Sequence, residues 1–240
     1  MMKALPAGTD SLFILNYNYI TSLTPFMNIW NNLAGGLLPE KSIPQLLGMA
    51  SSGGVLNSLM FTFESPTSIG ALFPAHEYIN RYIYQKTEIV KFDNGLDAFM
   101  YDGMLVVVMM GTAENFLKEA SDPSSSMYQN PVFKPVMRIS MDGAMTYITQ
   151  SANVTGLPVV LSVSLGRQEE SAESLPLTAW IDYGDEEKAN AVENTIETYL
   201  TNIWALNNIE TKQHGSVYSV KAALLPDDIQ KFLEGITREN

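Results

Sequence analysis

Two dipeptides in the middle of the chain restrict its fold more than any other feature. Asn94-Gly95 and Asp102-Gly103 each separate short β-rich runs, at 87–92, 96–101 and 104–110. Both pairs accept positive φ, so they suit the tight turn of a hairpin between neighbouring strands. Thr112 then stands at an N-cap position, and Phe116, Leu117 and Ala120 would form the inner face of a helix. The centre of the chain therefore reads as strand, strand, strand, helix.

The C-terminal stretch repeats that logic most clearly. Residues 177–183 read as a strand, and Asp185-Glu186-Glu187 opens a helix with acids at the positive end of its dipole. Ala189, Val192, Ile196, Tyr199, Leu200 and Ile203 fall on one continuous helical stripe. Strands near 208–213 and 216–224 pair through His214-Gly215. A last helix starts at Pro226-Asp227-Asp228, with Asp227 and Gln230 at capping-box spacing.

Elsewhere, residues 11–17 and 59–63 read as strands, and 22–33 as a helix stopped by Gly35-Gly36. A short helix is expected over 40–49. Pro74 opens another to about Tyr84, with Tyr78, Ile79, Tyr82 and Ile83 on one face. Strands are expected at 143–150 and 158–165, an exposed loop at 166–174 and a hinge loop at 121–131.

The expected fold is α+β: largely antiparallel sheet with helices packed on one face. The hinge divides it into an N-terminal half, 1–121, and a C-terminal half, 122–240, or the two form one continuous domain. Both halves fit a strand–helix–strand–strand–helix layout. A duplication explains that echo, and so does the commonness of a hairpin followed by a helix.

Composition removes several functions. The net charge is −12, from 26 acidic and 14 basic residues, and no three basic residues cluster. Nucleic acid and anionic membrane surfaces are thereby disfavoured as partners. Without cysteine there is no disulfide, thiolate metal site or Cys nucleophile. Charged residues are only 17% of the chain, which leaves a surface rich in Asn, Ser, Thr and Gln. No run of 18 apolar residues occurs, so no transmembrane helix is expected. The N-terminus has no apolar h-region, so no signal peptide is read in the chain as given.

No catalytic constellation emerges. His76-Glu77-Tyr78-Ile79-Asn80 lacks the second histidine of a zinc-binding helix, and Glu77 with Arg81 reads as an i,i+4 pair. His214 sits in a turn. Ser51-Ser52-Gly53-Gly54 is a flexible loop rather than a nucleophile elbow. Asp93-Asn94-Gly95-Leu96-Asp97 lacks the EF-hand order and reads as a tight hairpin. Asp182, Asp185, Glu186 and Glu187 are accounted for by helix capping. No cofactor, catalytic residue or metal ligand is assigned, and the ligand-binding residues are unknown.

Aromatic side chains cluster as Tyr17, Tyr19, Phe26 and Trp30, and again as Tyr78, Tyr82 and Tyr84. Met100, Met104, Met109 and Met110 surround the central hairpin. Core packing explains such clusters. The alternative is a groove for a peptide, glycan or apolar ligand.

Three short motifs bring a family resemblance. Leu5-Pro6-Ala7-Gly8-Thr9-Asp10 runs into the strand Leu12-Phe13-Ile14-Leu15. Tyr101-Asp102-Gly103 precedes a Thr112-capped helix, and Gly215, Val217 and Val220 precede the acidic cap Asp227-Asp228. In these the chain resembles uncharacterised secreted proteins and lipoproteins of bacteria. The resemblance implies an extracytoplasmic location, at the periplasm or cell surface, with no known enzymatic activity. It is compatible with a lipid anchor on a segment preceding Met1, whereas a native start at Met1 would favour the cytoplasm.

The leading expectation is a non-enzymatic extracytoplasmic domain that binds a protein or surface ligand. The alternatives are a carrier holding a small apolar ligand in a Met- and aromatic-lined cavity, an unrecognised hydrolase using His76 or His214, and a cytosolic structural subunit.

Overall fold

The computed structural model describes residues 5–6, 8–35, 37–38, 42–65, 67–73, 79–122, 126–138, 142–168 and 173–237. The chain is α+β and divides into two compact units. One comprises Met1–Asn18 and Phe26–Asn130, the other Tyr19–Pro25 and Pro131–Asn240. No helix among the described residues is long and apolar enough to cross a membrane.

The first unit holds strands β1 (Ser11–Asn16), β2 (Leu46–Ser52), β3 (Val55–Thr62), β4 (Asn80–Tyr84), β5 (Thr87–Lys91), β6 (Asp97–Tyr101) and β7 (Met104–Val108). They pair antiparallel in the order β1-β2-β3-β7-β6-β5-β4. Helices α1 (Tyr17–Ile20) and α2 (Thr24–Ala34) follow β1. Helix α3 (Ile69–Leu72) precedes β4, and α4 (Ala113–Ala120) follows β7. Alternation along the strands puts Asp97, Phe99 and Tyr101 on one face. Helix α4 packs there, with Phe116 edge-on to Phe99 at 5.6 Å and to Tyr101 at 6.5 Å.

Both expected turns form: Asp102 and Gly103 have φ of 49° and 76°, and Gly95 has φ of 85°. Two expected helices do not. The segment 40–49 contributes Leu46 onward to β2, because Leu47 and Met49 register against Phe61 and Leu59 of β3. Residues 80–84 of the expected 74–84 helix are strand β4. Their i, i+3, i+4 apolar spacing gives way to alternation, with Ile83 exposed and Tyr82 half-buried. Arg81 pairs with Glu88 across the hairpin. Residues 74–78, including His76, Glu77 and Tyr78, lie outside the described residues, as does Gly36.

The second unit holds β8 (Met145–Val154), β9 (Leu157–Leu165), β10 (Leu175–Asp182), β11 (Leu206–His214) and β12 (Val217–Leu224). They pair antiparallel in the order β11-β12-β10-β9-β8. Helices α5 (Glu186–Ala191) and α6 (Ile196–Asn202) join β10 to β11, and α7 (Ile229–Ile236) closes the chain. Leu161, Val163, Leu165, Leu177, Ala179, Ile181 and Val220 alternate onto one face and are all at most 2% exposed. Trp204 is fully buried edge-on to Phe232, with ring centres 6.1 Å apart.

The continuous stripe expected over 189–203 is interrupted. Helix α5 ends at Ala191, and a turn over 192–195 precedes α6. Asp185 caps α5 as expected, accepting from the Lys188 N–H at 2.8 Å. The capping box at Asp227 does not form: Gln230 donates to Glu234 instead, and Pro226–Asp228 is a 3₁₀ turn before α7. Four residues of the expected 166–174 loop, 169–172, lie outside the described residues.

A candidate binding cleft in the first unit

A concavity in the first unit lies over the face that carries α4. Its floor is Ser58 and Val108, which are cross-strand partners on β3 and β7. Its walls are the segment Pro6 to Thr9 on one side and Thr112, Asn115, Phe116 and Glu119 on the other. The cavity volume is about 360 Å³.

Each wall is fixed by a carboxylate. Leu5 is fully buried, its carbonyl accepts from Met127 N–H, and Pro6 bridges to Ser126. Asp10 then clamps the segment to the β2–β3 hairpin, accepting from Gly53 N–H at 2.5 Å. The opposite wall starts at Gly111, whose φ of 91° lets the chain leave β7 and enter α4. Asp97, 2% exposed, accepts from Ala113 N–H at 3.0 Å, and Thr112 accepts from Asn115 N–H at 3.3 Å. These bonds answer two of the orphan donors of α4, and Glu114 folds back onto its own N–H. The helix start is therefore closed with acids and a hydroxyl.

A bulge equips the floor. The β2–β3 register moves from Ala50 opposite Ser58 to Ser51 opposite Leu56, which leaves Asn57 as the extra residue. Such a bulge re-aims side chains, and here consecutive residues, Asn57 and Ser58, both reach the cleft. The Asn57 carbonyl is spent, accepting from Met109 and Met110 N–H.

Several side-chain polar groups of the lining have no hydrogen-bond partner among the described residues. Ser58 is 2% exposed and Thr9 5% exposed, yet neither hydroxyl hydrogen-bonds to another protein group. The amides of Asn57 and Asn115 and the hydroxyl of Ser52 have no side-chain hydrogen bond either. Two of these groups stand on buried residues and three on partly or fully exposed ones, so the five present donors and acceptors to whatever fills the cleft. Met110 is 58% exposed at the rim, and no Lys or Arg among the described residues lines the cavity.

Just outside it, the Tyr82 hydroxyl donates to Glu114 at 2.7 Å. That bond holds the Glu114 carboxyl below the usual glutamate range, and burial pushes the Tyr82 phenol up.

The residues singled out in the sequence have other roles. His214 is exposed at the end of β11. Asn94 stabilises its own turn, accepting from Leu96 N–H at 3.1 Å. Asp182 accepts from Gly184 N–H at 3.0 Å. Among the described residues no three His, Asp or Glu side chains come together as a metal site would require. Met104 is buried while Met110 faces the cleft. Tyr17 and Trp30 stack at 5.1 Å and line a separate groove of about 240 Å³ with Leu38 and the 59%-exposed Ile43.

In the second unit an open depression of about 390 Å³ is lined by Tyr19, Asp142, Ser164, Arg167 and Thr178. Gly143 and Gly166 there serve packing. A Cβ on Gly143 would lie 2.2 Å from the Leu165 carbonyl, and one on Gly166 2.7 Å from the Pro176 ring.

By fold and cleft, then, this is an antiparallel α+β protein with a polar cavity in one unit. No family model and no curated protein matches the sequence. Among solved structures the chain is similar to TP0453. Crystal form I of that protein matches at a TM-score of 0.56 and 8% identity, covering 98% of this chain and 97% of that one. Crystal form III matches at 0.55 and 8% identity, covering 98% of both. At such identity the likeness concerns the fold.

Proposed function

We propose that this chain is a non-enzymatic binding module that works outside the cytoplasm, and that the first unit's cleft is its ligand site. One observation carries the assignment of the site: hydroxyls and amides without internal partners converge on a single cavity walled by tethered segments. The hydroxyls of Thr9 and Ser58 line the cleft without a side-chain hydrogen bond to another described residue, so a ligand can take up the bonds that water otherwise makes there. The location rests on the resemblance to secreted proteins and lipoproteins. In the same reading the two halves are variants of one strand–helix–strand–strand–helix unit, with helices on one sheet face. The placement of α5 over β12, where Tyr218 donates to the Ala189 carbonyl at 3.2 Å, supports this for the second unit.

Methyl-labelled methionine offers a direct test, because Met110 stands at the rim while Met127 and Met145 are buried. A library of small solutes and short peptides is expected to shift the Met110 signal selectively. Shifts confined to other methionines would remove the cleft as the site. Fractionation of cells expressing the full-length gene tests the location, and a purely cytoplasmic product would overturn it. A second reading, an apolar ligand at the Tyr17–Trp30 groove, is favoured by the exposed Ile43. It predicts a change in Trp30 fluorescence with no shift at Met110.

A further inference from the structure

We infer that the ligand of this cleft is a neutral oligosaccharide, an inference that rests on the cleft being the binding site. The chemistry of the lining selects the class. Thr9, Ser52 and Ser58 offer hydroxyls, and Asn57 and Asn115 offer amides. Each of these groups both donates and accepts, as every sugar hydroxyl does, so the match needs no particular protonation state. Phosphate, sulfate and uronate ligands are selected against. Among the described residues the lining has no Lys or Arg, Glu119 contributes a carboxylate, and the chain carries a net charge of −12. The start of α4, the usual backbone site for an anion, is already occupied by Asp97, Thr112 and Glu114.

An extended peptide fits less well. Peptide docking by strand addition needs a free strand edge. Here one wall is the segment Pro6 to Thr9, whose Thr9 N–H turns back to the Pro6 carbonyl, and the other is a helix. The floor lies within the sheet, where β3 is paired on both sides. What the cleft presents is side-chain hydroxyls and amides with an apolar rim at the exposed Met110, against which the C–H face of a sugar ring packs. A volume of about 360 Å³ accommodates roughly one to two hexose rings, at the lower end of the sizes usual for ligand pockets.

The test uses the full chain against an array of neutral, uronate-containing and sulfated oligosaccharides, followed by calorimetry on the hits and a parallel peptide library. The expected result is binding of at least one neutral oligosaccharide, with acidic analogues of the same backbone weaker. Asn115→Ala, an exposed position that leaves folding intact, is expected to weaken that binding by about tenfold, as loss of one hydrogen bond to the ligand does. Thr9→Val, nearly isosteric, is expected to do the same. Near-ultraviolet circular dichroism confirms that each variant is folded.

Neutral binding unaffected by either variant overturns the inference. So does selective binding of acidic sugars. Peptide binding that shifts Met110 and is lost in both variants overturns the glycan assignment while leaving the cleft as the site. Failure of every ligand class to shift Met110 overturns both.

Discussion

Two serines in the two units occupy similar positions and are used in opposite ways. Ser162 of β9 is fully buried and donates to the Val136 carbonyl at 2.5 Å. Ser58 of β3 is almost as buried and donates to no protein group. In the second unit the segment Pro131 to Val136 lies over the sheet and brings its own acceptor. Phe133 and Val136 are fully buried there. In the first unit the segment Pro6 to Thr9 and helix α4 stand apart over the sheet and leave Ser58 at the bottom of a gap. A buried hydroxyl is thus a packing device where a loop closes on it and a recognition device where the covering chain is held away.

Unsealing the second unit is the strongest way to break the contrast. Phe133→Ala should cost about 3–5 kcal/mol, as truncation of a fully buried phenylalanine does, and should open the face over β8 and β9. Urea unfolding and binding of a hydrophobic dye measure the two effects. An unchanged midpoint would mean that the segment does not seal the sheet.

The serines themselves sharpen it. Ser162→Ala leaves the Val136 carbonyl without its donor and should cost about 1–3 kcal/mol. Ser58→Ala should change stability by less than about 0.5 kcal/mol and affect ligand affinity instead. Equal losses in both variants, read as urea midpoints, would erase the distinction.

The wall of the cleft gives a smaller effect. Thr112→Ala removes the cap of α4 and should cost about 1 kcal/mol in the same assay.

The smallest effect is a change in acid sensitivity. Glu114 titrates below its ordinary range in the folded state because Tyr82 donates to it. Its contribution to stability is therefore present above the ordinary glutamate range and is lost as pH falls through that range to the lowered value. Tyr82→Phe should make stability decline less steeply between about pH 6 and pH 3. A steeper decline would show that the pair does not stabilise the fold.

Much of the architecture was legible along the chain, and the exceptions have physical causes. The turns at Asn94-Gly95 and Asp102-Gly103 announce themselves through residues that tolerate positive φ. The β4–β5 turn does not: Gln85 and Lys86 have φ of 47° and 70° with no Gly or Asn to mark them. Without a turn signal, Ile79, Tyr82 and Ile83 match helical spacing as well as strand alternation. Segment 40–49 was misread because pairing with β3, which contacts further along the chain determine, overrides local preference.

The cleft was less legible still. Thr9, Asn57, Ser58 and Asn115 are separated by up to about a hundred residues and meet only through the tertiary fold. One signal existed: Asn57-Ser58 interrupts the apolar stretch from Val55 to Phe61, and Ser58 stands at a buried position. A small polar residue within such a strand marks either a covered hydroxyl or a site, and the sequence does not distinguish them.

The tethers of the cleft walls have a consequence for variation. Asp10, Gly53, Asp97 and Ala113 hold the walls, and none of them lines the cavity. Apart from Gly111 and Thr112, which both build the wall and line the cavity, scaffold and specificity are therefore carried by separate residues. The lining can be exchanged position by position to suit a different ligand while the frame around it stays the same, which makes this cleft a natural starting point for selecting altered binders.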